Sequence, residues 1–377
     1  MNRVELQDRL KGALVLAPLT KGGNLPFRRL CVDFGADVTF SEMAYARKLA
    51  KGDRKERALL RRHDSEECFG VQIAAKQPAE AIEAAKIIED SGADFIDINC
   101  GCPIDDTTRR GLGAALLRRP KQIAKLVEAL TSASTLPITV KIRTGWKNDA
   151  INAHEVAALV EESGAAALTV HGRSKQQRYT KAADWNLIKE IAEARKIPVI
   201  GNGDILTHYE TQHHFKEHSI SAVMLARGAL TKPWIFEEIK ESQARPLSAS
   251  ERIAIYFRFS EYLKQHFGAD ELGCSRIMRF LPWHLSLFAR YTHYRYEDFV
   301  PNAETPLIHQ RRGETVEPSP VDLLLGLSDE CTHEAIARAL LSSGDPQLAF
   351  EEIERLALQP ALAPTYRAKP SSLLAMG

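Results

Sequence analysis

The chain has 377 residues, enough for one large α/β domain, a smaller second domain and a substantial buried core. Its 50 Lys and Arg residues nearly balance 49 Asp and Glu residues, so net charge alone gives no reason to expect nucleic-acid binding. The 6 cysteines show no disulfide spacing, and no apolar run reaches the roughly 18 residues of a membrane helix. We therefore expect a cytoplasmic or nuclear protein with no membrane association and no obligate protein partner.

Short apolar or β-branched runs alternate with amphipathic stretches through the first part of the chain. Strands that lack polar alternation and are separated by helices predict a parallel sheet covered by helices. Eight such units favour an α/β (β/α)8 TIM barrel over a doubly wound sheet, whose glycine fingerprint is missing. The runs are ALVLAP from Ala13, ADVTF from Ala36, CFGVQI from Cys68, DFIDIN from Asp94, PITVKI from Pro137, ALTVHG from Ala167, IPVIGN from Ile197 and SAVMLA from Ser221.

The pattern becomes purely helical after Lys240, beyond a boundary that contains Pro and Ser. We predict a barrel over residues 1–242, an all-helical domain over 243–365 and a loose tail over 366–377. Arginines lie beside aromatic residues in the helical domain, which suits RNA binding and a core with a charged rim equally well. They are Arg276, Arg279, Arg290 and Arg295, with Phe280, Trp283, Tyr291 and Tyr294.

Polar and small residues follow the predicted strands, at the ends where TIM-barrel active sites assemble. The turns GNGDI and LARGAL would offer backbone N–H groups and Arg227 to a phosphate, although tight turns also need glycine. Lys141 and His171 would lie beside a planar ring, with Lys141 placed to stabilise its anionic reduced form. This combination predicts an FMN site.

The segment FIDINCGCPID places Cys100 and Cys102 on either side of a glycine. Because Cys-x-Cys lacks the paired spacing of zinc sites and no histidine is nearby, no metal is predicted here. A nucleophilic Cys–His hydrolase remains an alternative. Farther along, His214 and His218 lie one helical turn apart, and we interpret them as part of a solvated helix face.

Ten motifs, in order, resemble those of the tRNA-dihydrouridine synthases. The similarity covers residues 13 to about 240 and continues more weakly into the helical domain, and its details resemble the type 3 branch, which modifies uridine 47 of the variable loop. The motifs are LAPLT, NLPFRRLC, SEM, GVQI, DINCGCPID, GLGAALLRRP, VKIRTG, VHGRSKQQRYTKAADW, GNGDI and LARGALTKPWIF.

The resemblance implies FMN-dependent reduction of the C5–C6 double bond of a tRNA uridine, with NADPH or NADH as electron donor. Hydride would pass from flavin N5 to C6, and Cys102 would give a proton to C5. A thiol is largely protonated at neutral pH, which suits that role, whereas Cys100 is interpreted as a core residue. The implied cofactor residues are Pro18, Leu19, Thr20, Gln72, Lys141, His171, Asn202, Gly203, Asp204, Ala226 and Arg227.

Basic residues crowd positions 47–62 and follow four predicted strands, so we expect a positive mouth that meets RNA phosphates. An unstacked uridine would contact Asn99, Arg143, Arg173, Arg178 and Tyr179. The N-terminal zinc fingers of larger type 3 relatives are absent, so either the barrel and helical domain supply the RNA affinity or the chain is part of a longer protein. An FMN barrel acting on free pyrimidines and a tRNA-binding protein without turnover are the alternatives.

Overall fold

Parallel strands form the first part of this computed structural model, which describes residues 1–299 and 318–359. Each predicted run overlaps one of them: β1 (Leu14–Leu16), β2 (Thr39–Phe40), β4 (Phe69–Ala74), β5 (Phe95–Cys100), β6 (Ile138–Arg143), β9 (Ala167–His171), β10 (Val199–Asn202) and β11 (Ala222–Leu225). The remaining strands are β3 (Ala44–Tyr45), which pairs with β4, and the hairpin of β7 (Gly145–Lys147) and β8 (Ala150–Ile151).

The eight strands that overlap the predicted runs close into a barrel. Hydrogen-bonded neighbours follow the order β1-β11-β10-β9-β6-β5-β4-β2, and a parallel bridge between Val15 and Val38 joins the two ends of that path. Leu16 N donates to Val38 O at 2.9 Å across the same junction. The predicted TIM barrel is therefore confirmed, and the doubly wound alternative is wrong.

Helices cover the barrel and make up the described chain that follows it. The first group is α1 (Arg3–Arg9), α2 (Leu25–Asp33), α3 (Ala46–Ala50), α4 (Arg54–Ala58), α5 (Pro78–Glu89), α6 (Asp105–Arg109), a 3₁₀ helix (Gly113–Arg118), α7 (Pro120–Ala133), α8 (Ala153–Glu162), α9 (Trp185–Ala194), α10 (His208–Glu217), α11 (Arg227–Thr231) and α12 (Ile235–Glu241). The second group is α13 (Ala249–Phe267), α14 (Glu271–Ile277), α15 (Leu281–Phe288), α16 (Tyr296–Phe299), α17 (Pro320–Leu325), α18 (Glu330–Ser342) and α19 (Pro346–Ala357).

Side chains of the barrel strands alternate between two faces. In β5, Phe95 belongs to the apolar cluster inside the barrel, whereas Ile96 and Ile98 belong to the cluster between strands and helices. Toward the carboxyl ends the inner positions become polar, as Thr139 and Lys141 of β6 illustrate. The expectation that these strands lack polar alternation is therefore wrong, because a cavity lined by polar residues replaces the apolar core at that end of the barrel.

The second helix group packs on the barrel through aromatic residues. Phe259 of α13 meets Phe27 of α2 edge-on, with ring centroids 5.9 Å apart. His284 of α15 holds Nε2 3.2 Å from Gly22 O, in the loop after β1. The predicted helical region after the barrel is confirmed for the described residues, whereas the domain boundaries stay predictions and the tail over 366–377 lies outside the described ranges. Within those ranges, no helix is both long and apolar enough to cross a bilayer.

Candidate active site

A cavity of about 470 Å³ opens at the carboxyl ends of the barrel strands, a size typical of small-molecule sites. It brings together every predicted site residue except Arg178. Those residues are Pro18, Leu19, Thr20, Gln72, Asn99, Cys102, Lys141, Arg143, His171, Arg173, Tyr179, Asn202, Gly203, Asp204, Ala226 and Arg227. Their shared location agrees with the expectation from barrel geometry, while their individual roles stay predictions.

Cys102 lies in the loop after β5 and is half-buried on the cavity wall. Its N–H donates to Asn99 Oδ1 at 2.9 Å, and its carbonyl accepts from Ala114 N at 3.0 Å. Gly113 allows this close approach, because it has a φ of +60° and an added Cβ would lie 2.7 Å from Cys102 O. The loop therefore holds the backbone of Cys102 in place beside the cavity.

Cys100 has a different environment, although a single residue separates the two cysteines. It ends β5 and is completely buried in the apolar cluster between strands and helices. Burial raises the pKa of its thiol, with a smaller contribution from Asp97, so the group stays protonated. The interpretation of Cys100 as a core residue is confirmed.

A buried chain of hydrogen bonds runs from inside the barrel to the Cys102 loop. Asp97 accepts from Thr139 Oγ1 and Gln72 Nε2, both at 2.7 Å. Gln72 Oε1 then accepts from Asn99 Nδ2 at 2.7 Å, which leaves Asn99 Oδ1 to accept from Cys102 N. Burial raises the pKa of Asp97 to about 6, so the carboxylate is mostly ionised at neutral pH and can only accept. Asp97 thereby fixes the direction of both amides.

Gln72 and Asn99 were predicted to contact cofactor and substrate, respectively. In the structure, both amides are also engaged in holding the Cys102 loop, and Gln72 is completely buried. One function of Gln72 and Asn99 in the site is therefore to support the loop that carries the Cys102 thiol.

Lys141 presents a buried amine to the cavity. Its Nζ donates to Asn202 Oδ1 at 3.0 Å, and Asn202 Nδ2 donates to Met224 O at 2.8 Å. Burial lowers the pKa of Lys141 to about 7, with a smaller effect from the charge of Arg143. A nearby anion would favour the charged form, so this amine is suited to bind a group that becomes negative.

His171 is a neutral imidazole at the end of β9. Burial lowers its pKa well below 6.5, and the charges of Arg143 and Lys141 add to the effect. Its Nε2 lies 3.3 Å from Arg173 Nη1. Since a guanidinium can only donate, Nε2 accepts and the ring proton is on Nδ1.

Asp204 organises two arginines at the edge of the cavity. Its carboxylate forms a buried ion pair with Arg173 and a second pair with Arg227 Nη2 at 3.1 Å. The Arg227 guanidinium lies 4.2 Å from the centroid of the Tyr179 ring. A carboxylate repels phosphate, so Asp204 supports Arg227 rather than contacting an anion itself.

Packing explains the glycines of the two turns. Gly203 has a φ of +141°, and an added Cβ would collide with Ala183. A Cβ at Gly228 would collide with the carbonyl oxygen of Ile205. Both positions need glycine with or without a ligand, so the case for an anion site depends on Arg227 and not on the turns.

The predicted substrate arginines differ in their availability. Arg143 is buried, and it donates to Gly101 O at 2.9 Å and Ser174 O at 3.1 Å. These hydrogen bonds connect the Cys102 loop to the loop after β9. Arg178 lies outside the cavity lining, with its guanidinium 3.6 Å from Asp105. The prediction for Arg178 is therefore not supported as a direct cavity contact.

Only part of the basic segment 47–62 can face the mouth of the cavity. Arg62 donates to Gly92 O at 2.8 Å and lies 3.1 Å from Asp94. Both partners precede β5, at the amino-terminal end of the barrel, so the predicted basic mouth is wrong for Arg62. Lys48 is offset by Glu56 at 3.3 Å.

Trp283 is a cavity residue that sequence reasoning did not assign to the site. It belongs to α15 and lines the cavity opposite the barrel strands, with its ring 5.5 Å from Lys21 Nζ. Gly22 lies directly against it, since an added Cβ would be 3.0 Å from Trp283 Cη2. The only sequence signal was its place beside arginines. The same signal fails at Tyr291, whose hydroxyl accepts from Leu247 N at 3.3 Å.

The histidines of α10 contradict the predicted solvated face. His214 is 8% exposed and His218 is 6% exposed. Trp185 covers them, because its ring stacks on His214 with a centroid separation of 3.5 Å and an interplanar angle of 11°. The helix sequence alone could not show this, because the covering residue comes from the start of α9.

Comparison with known proteins shows one family. The family model described as "Dihydrouridine synthase (Dus)" matches residues 15–311. A tRNA-dihydrouridine(47) synthase [NAD(P)(+)] of Cryptococcus neoformans var. neoformans serotype D is 44% identical, covering 77% of this chain and 42% of its own. A Homo sapiens protein named tRNA-dihydrouridine(47) synthase [NAD(P)(+)]-like is 43% identical, covering 75% of this chain and 44% of its own. The chain thus spans less than half the length of these curated relatives.

Proposed function

The chain belongs to the dihydrouridine synthase family, and from this premise we propose that it reduces a uridine in tRNA to 5,6-dihydrouridine. The names of its relatives support uridine 47 as the target and NADPH or NADH as the electron donor. The observation that carries the proposal is that Cys102, Lys141 and Arg227 line one cavity. A tRNA substrate is met in the cytoplasm or nucleus, where we expect the protein to act.

FMN fits the residues of this cavity. Arg227 can bind a phosphate, while the Lys141 amine and the Nδ1–H of His171 can bind the polar edge of a flavin ring. Leu19 and Met224 provide apolar surface for its faces. Further candidate contacts are Pro18, Thr20, Gln72, Asn202, Gly203 and Ala226, while Asp204 would hold Arg227 in place. When bound, FMN would supply the hydride that uracil accepts at C6.

Cys102 acts as the general acid. Its thiol gives a proton to C5 as C6 accepts hydride, and it regains that proton from solvent. The overall reaction consumes uridine, NAD(P)H and one proton, and it yields dihydrouridine and NAD(P)⁺. Because Asn99 and Ala114 fix the backbone of the Cys102 loop, the thiol approaches the base from a constant direction.

An extruded base is the substrate that suits this site. A uridine stacked within tRNA cannot reach the cavity wall, so it must first leave its stack. Tyr179 and Trp283 offer aromatic surface in the cavity to replace the lost stacking. Arg143 and Arg173 are held beside Tyr179, with guanidinium carbons 5.8 Å and 5.7 Å from its ring centroid. Because Asp204 already neutralises Arg173, the charge of Arg143 is the one that favours a polynucleotide.

The two cysteines supply a matched test. Purified wild type, Cys102→Ala and Cys100→Ala would be compared for bound flavin by mass spectrometry, for bleaching by NADPH or NADH, and for dihydrouridine formed in tRNA that lacks it, mapped at nucleotide resolution. We expect all three proteins to bind FMN and bleach, and Cys102→Ala alone to lose most turnover. Full turnover by Cys102→Ala would remove the assigned acid.

The same preparations separate the alternatives. Reduction of free uridine at a rate equal to that of tRNA would favour an enzyme of free pyrimidines. Saturable tRNA binding by a colourless protein that forms no dihydrouridine would favour a binding protein without turnover. Product at a position other than 47 would retain the chemistry and contradict the assigned target.

A further inference from the structure

Three histidines form a compact cluster away from the cavity described above. His214 lies in the last turn of α10, His213 directly precedes it, and His218 caps the helix. One ring nitrogen of each lies within 4.8 Å of the others, and we call these three residues the histidine cluster. None of them lines the cavity that holds Cys102.

The buried members of the histidine cluster have polar atoms that the protein does not satisfy. Within the described chain, Nδ1 of His214 and Nδ1 of His218 are buried without a hydrogen-bond partner. Leaving such an atom unpaired is costly, and native proteins rarely do so without a reason. Stacking on Trp185 accounts for where the His214 ring lies, but it gives the nitrogen no partner.

The third member of the histidine cluster is open to solvent. His213 is exposed, whereas His214 and His218 are buried. One of the three rings can therefore be reached from outside the protein.

We propose that the histidine cluster binds a divalent transition metal ion, namely Zn²⁺, through its three imidazole rings. Imidazole nitrogen is a preferred donor for Zn²⁺, and three imidazoles with one water complete a tetrahedral shell. Zn–N bonds of about 2.0–2.1 Å place the nitrogens of such a shell roughly 3.3 Å apart. The ring nitrogens of the histidine cluster would therefore move closer together when the ion binds.

The ion would be coupled to the wall of the candidate active site through Trp185. The indole that stacks on His214 donates from Nε1 to Gly203 O at 3.2 Å, and Gly203 lines the cavity. Fixing the His214 ring would therefore fix the indole against β10. The same stacking provides a spectroscopic signal, because a paramagnetic ion at His214 would quench the fluorescence of Trp185.

Co²⁺ titration of the purified full chain tests the proposal, with any flavin left bound. We expect one saturable site, with the visible absorption of tetrahedral Co²⁺, quenching of tryptophan fluorescence and displacement by Zn²⁺. His213→Ala removes an exposed ligand without opening the core, and we expect it to weaken binding by more than about 10-fold, since even loss of a group that only supports a ligand costs 10–100-fold. His154→Ala, at an exposed histidine outside the histidine cluster, should bind like wild type.

A second variant guards against a purely local effect. His218→Ala, checked for folding by circular dichroism, should lose the Co²⁺ absorption and the quenching together. Absence of saturable binding by wild type, or affinities unchanged in both His213→Ala and His218→Ala, would overturn the proposal. None of these readouts depends on dihydrouridine formation, so failure of the metal site and failure of the proposed enzyme activity can be told apart.

Discussion

The hydrogen-bond chain from Asp97 to the Cys102 loop predicts that Asn99→Asp should be destabilising on its own and better tolerated when Asp97→Asn accompanies it. Asn99→Asp replaces the Nδ2 donor with an oxygen that faces Gln72 Oε1 across 2.7 Å. Gln72 cannot turn to relieve the contact, because its Nε2 is held by Asp97. The double change Asp97→Asn and Asn99→Asp exchanges donor and acceptor in both hydrogen bonds of Gln72, so that Gln72 can turn and satisfy both neighbours.

The expected magnitudes follow from burial. A buried polar group left without its partner costs about 1–3 kcal/mol, and more when a charge is involved. Asn99→Asp should therefore lower the free energy of unfolding by about 2–4 kcal/mol and release the Cys102 loop. Asp97→Asn alone should cost less than about 1 kcal/mol, because the Thr139 hydroxyl can accept instead of donate. In the double variant we expect at least half of the Asn99→Asp loss to return.

Urea denaturation of the four proteins gives the coupling energy of this cycle, and dihydrouridine formation gives its effect on the reaction. Turnover should be lowest in Asn99→Asp and partly restored in the double variant. A double variant no more stable than the sum of its single changes predicts would refute the direction assigned to the two amides.

Three further predictions concern charge and shape in the cavity. The amine of Lys141 has its pKa lowered from 10.5 to about 7, so the folded protein binds fewer protons than the unfolded chain between these pH values. Wild type should therefore gain stability relative to Lys141→Met as the pH rises from 7 toward 10. A difference in the free energy of unfolding between the two proteins that does not depend on pH, measured by urea denaturation, would contradict this. Arg227→Met should lower the flavin content of the purified protein, and Arg178→Met should leave it unchanged; equal retention would remove Arg227 from the phosphate site. Trp283→Ala should lower kcat/KM for tRNA by roughly 10-fold without loss of flavin, since stacking on a base contributes about 1–3 kcal/mol, while Trp283→Phe should keep most activity; an unchanged rate for the alanine variant would exclude stacking.

Much of the barrel could be predicted because each of its strands can be recognised from consecutive residues, as a short apolar run that a helix follows. The ends of those strands then identified most of the site, since barrel closure brings them together whatever the details of packing. Lys141 and His171 were found in this way. Neither needed knowledge of any contact with another element.

The remaining features depend on contacts that no local pattern encodes. Asp97 lies within an apolar run, and its importance appears only when Gln72 of the neighbouring strand is seen beside it. Trp283 reaches the cavity from a helix far along the chain, and its neighbours in sequence predict a core residue equally well. His214 was expected in solvent because nothing in α10 announces that Trp185 will cover it.

The contact between Gly22 and Trp283 gives the entrance of the cavity an adjustable width. A single methyl group at position 22 would lie 3.0 Å from the indole of Trp283 and equally close to Leu230, so these side chains would have to shift. Substitution there would thus change the clearance left for an incoming nucleotide without altering any group that touches it. Substitution of Gly22, which lies behind Trp283, can therefore change the selectivity for different RNA bases, while the residues that carry out the reaction stay the same.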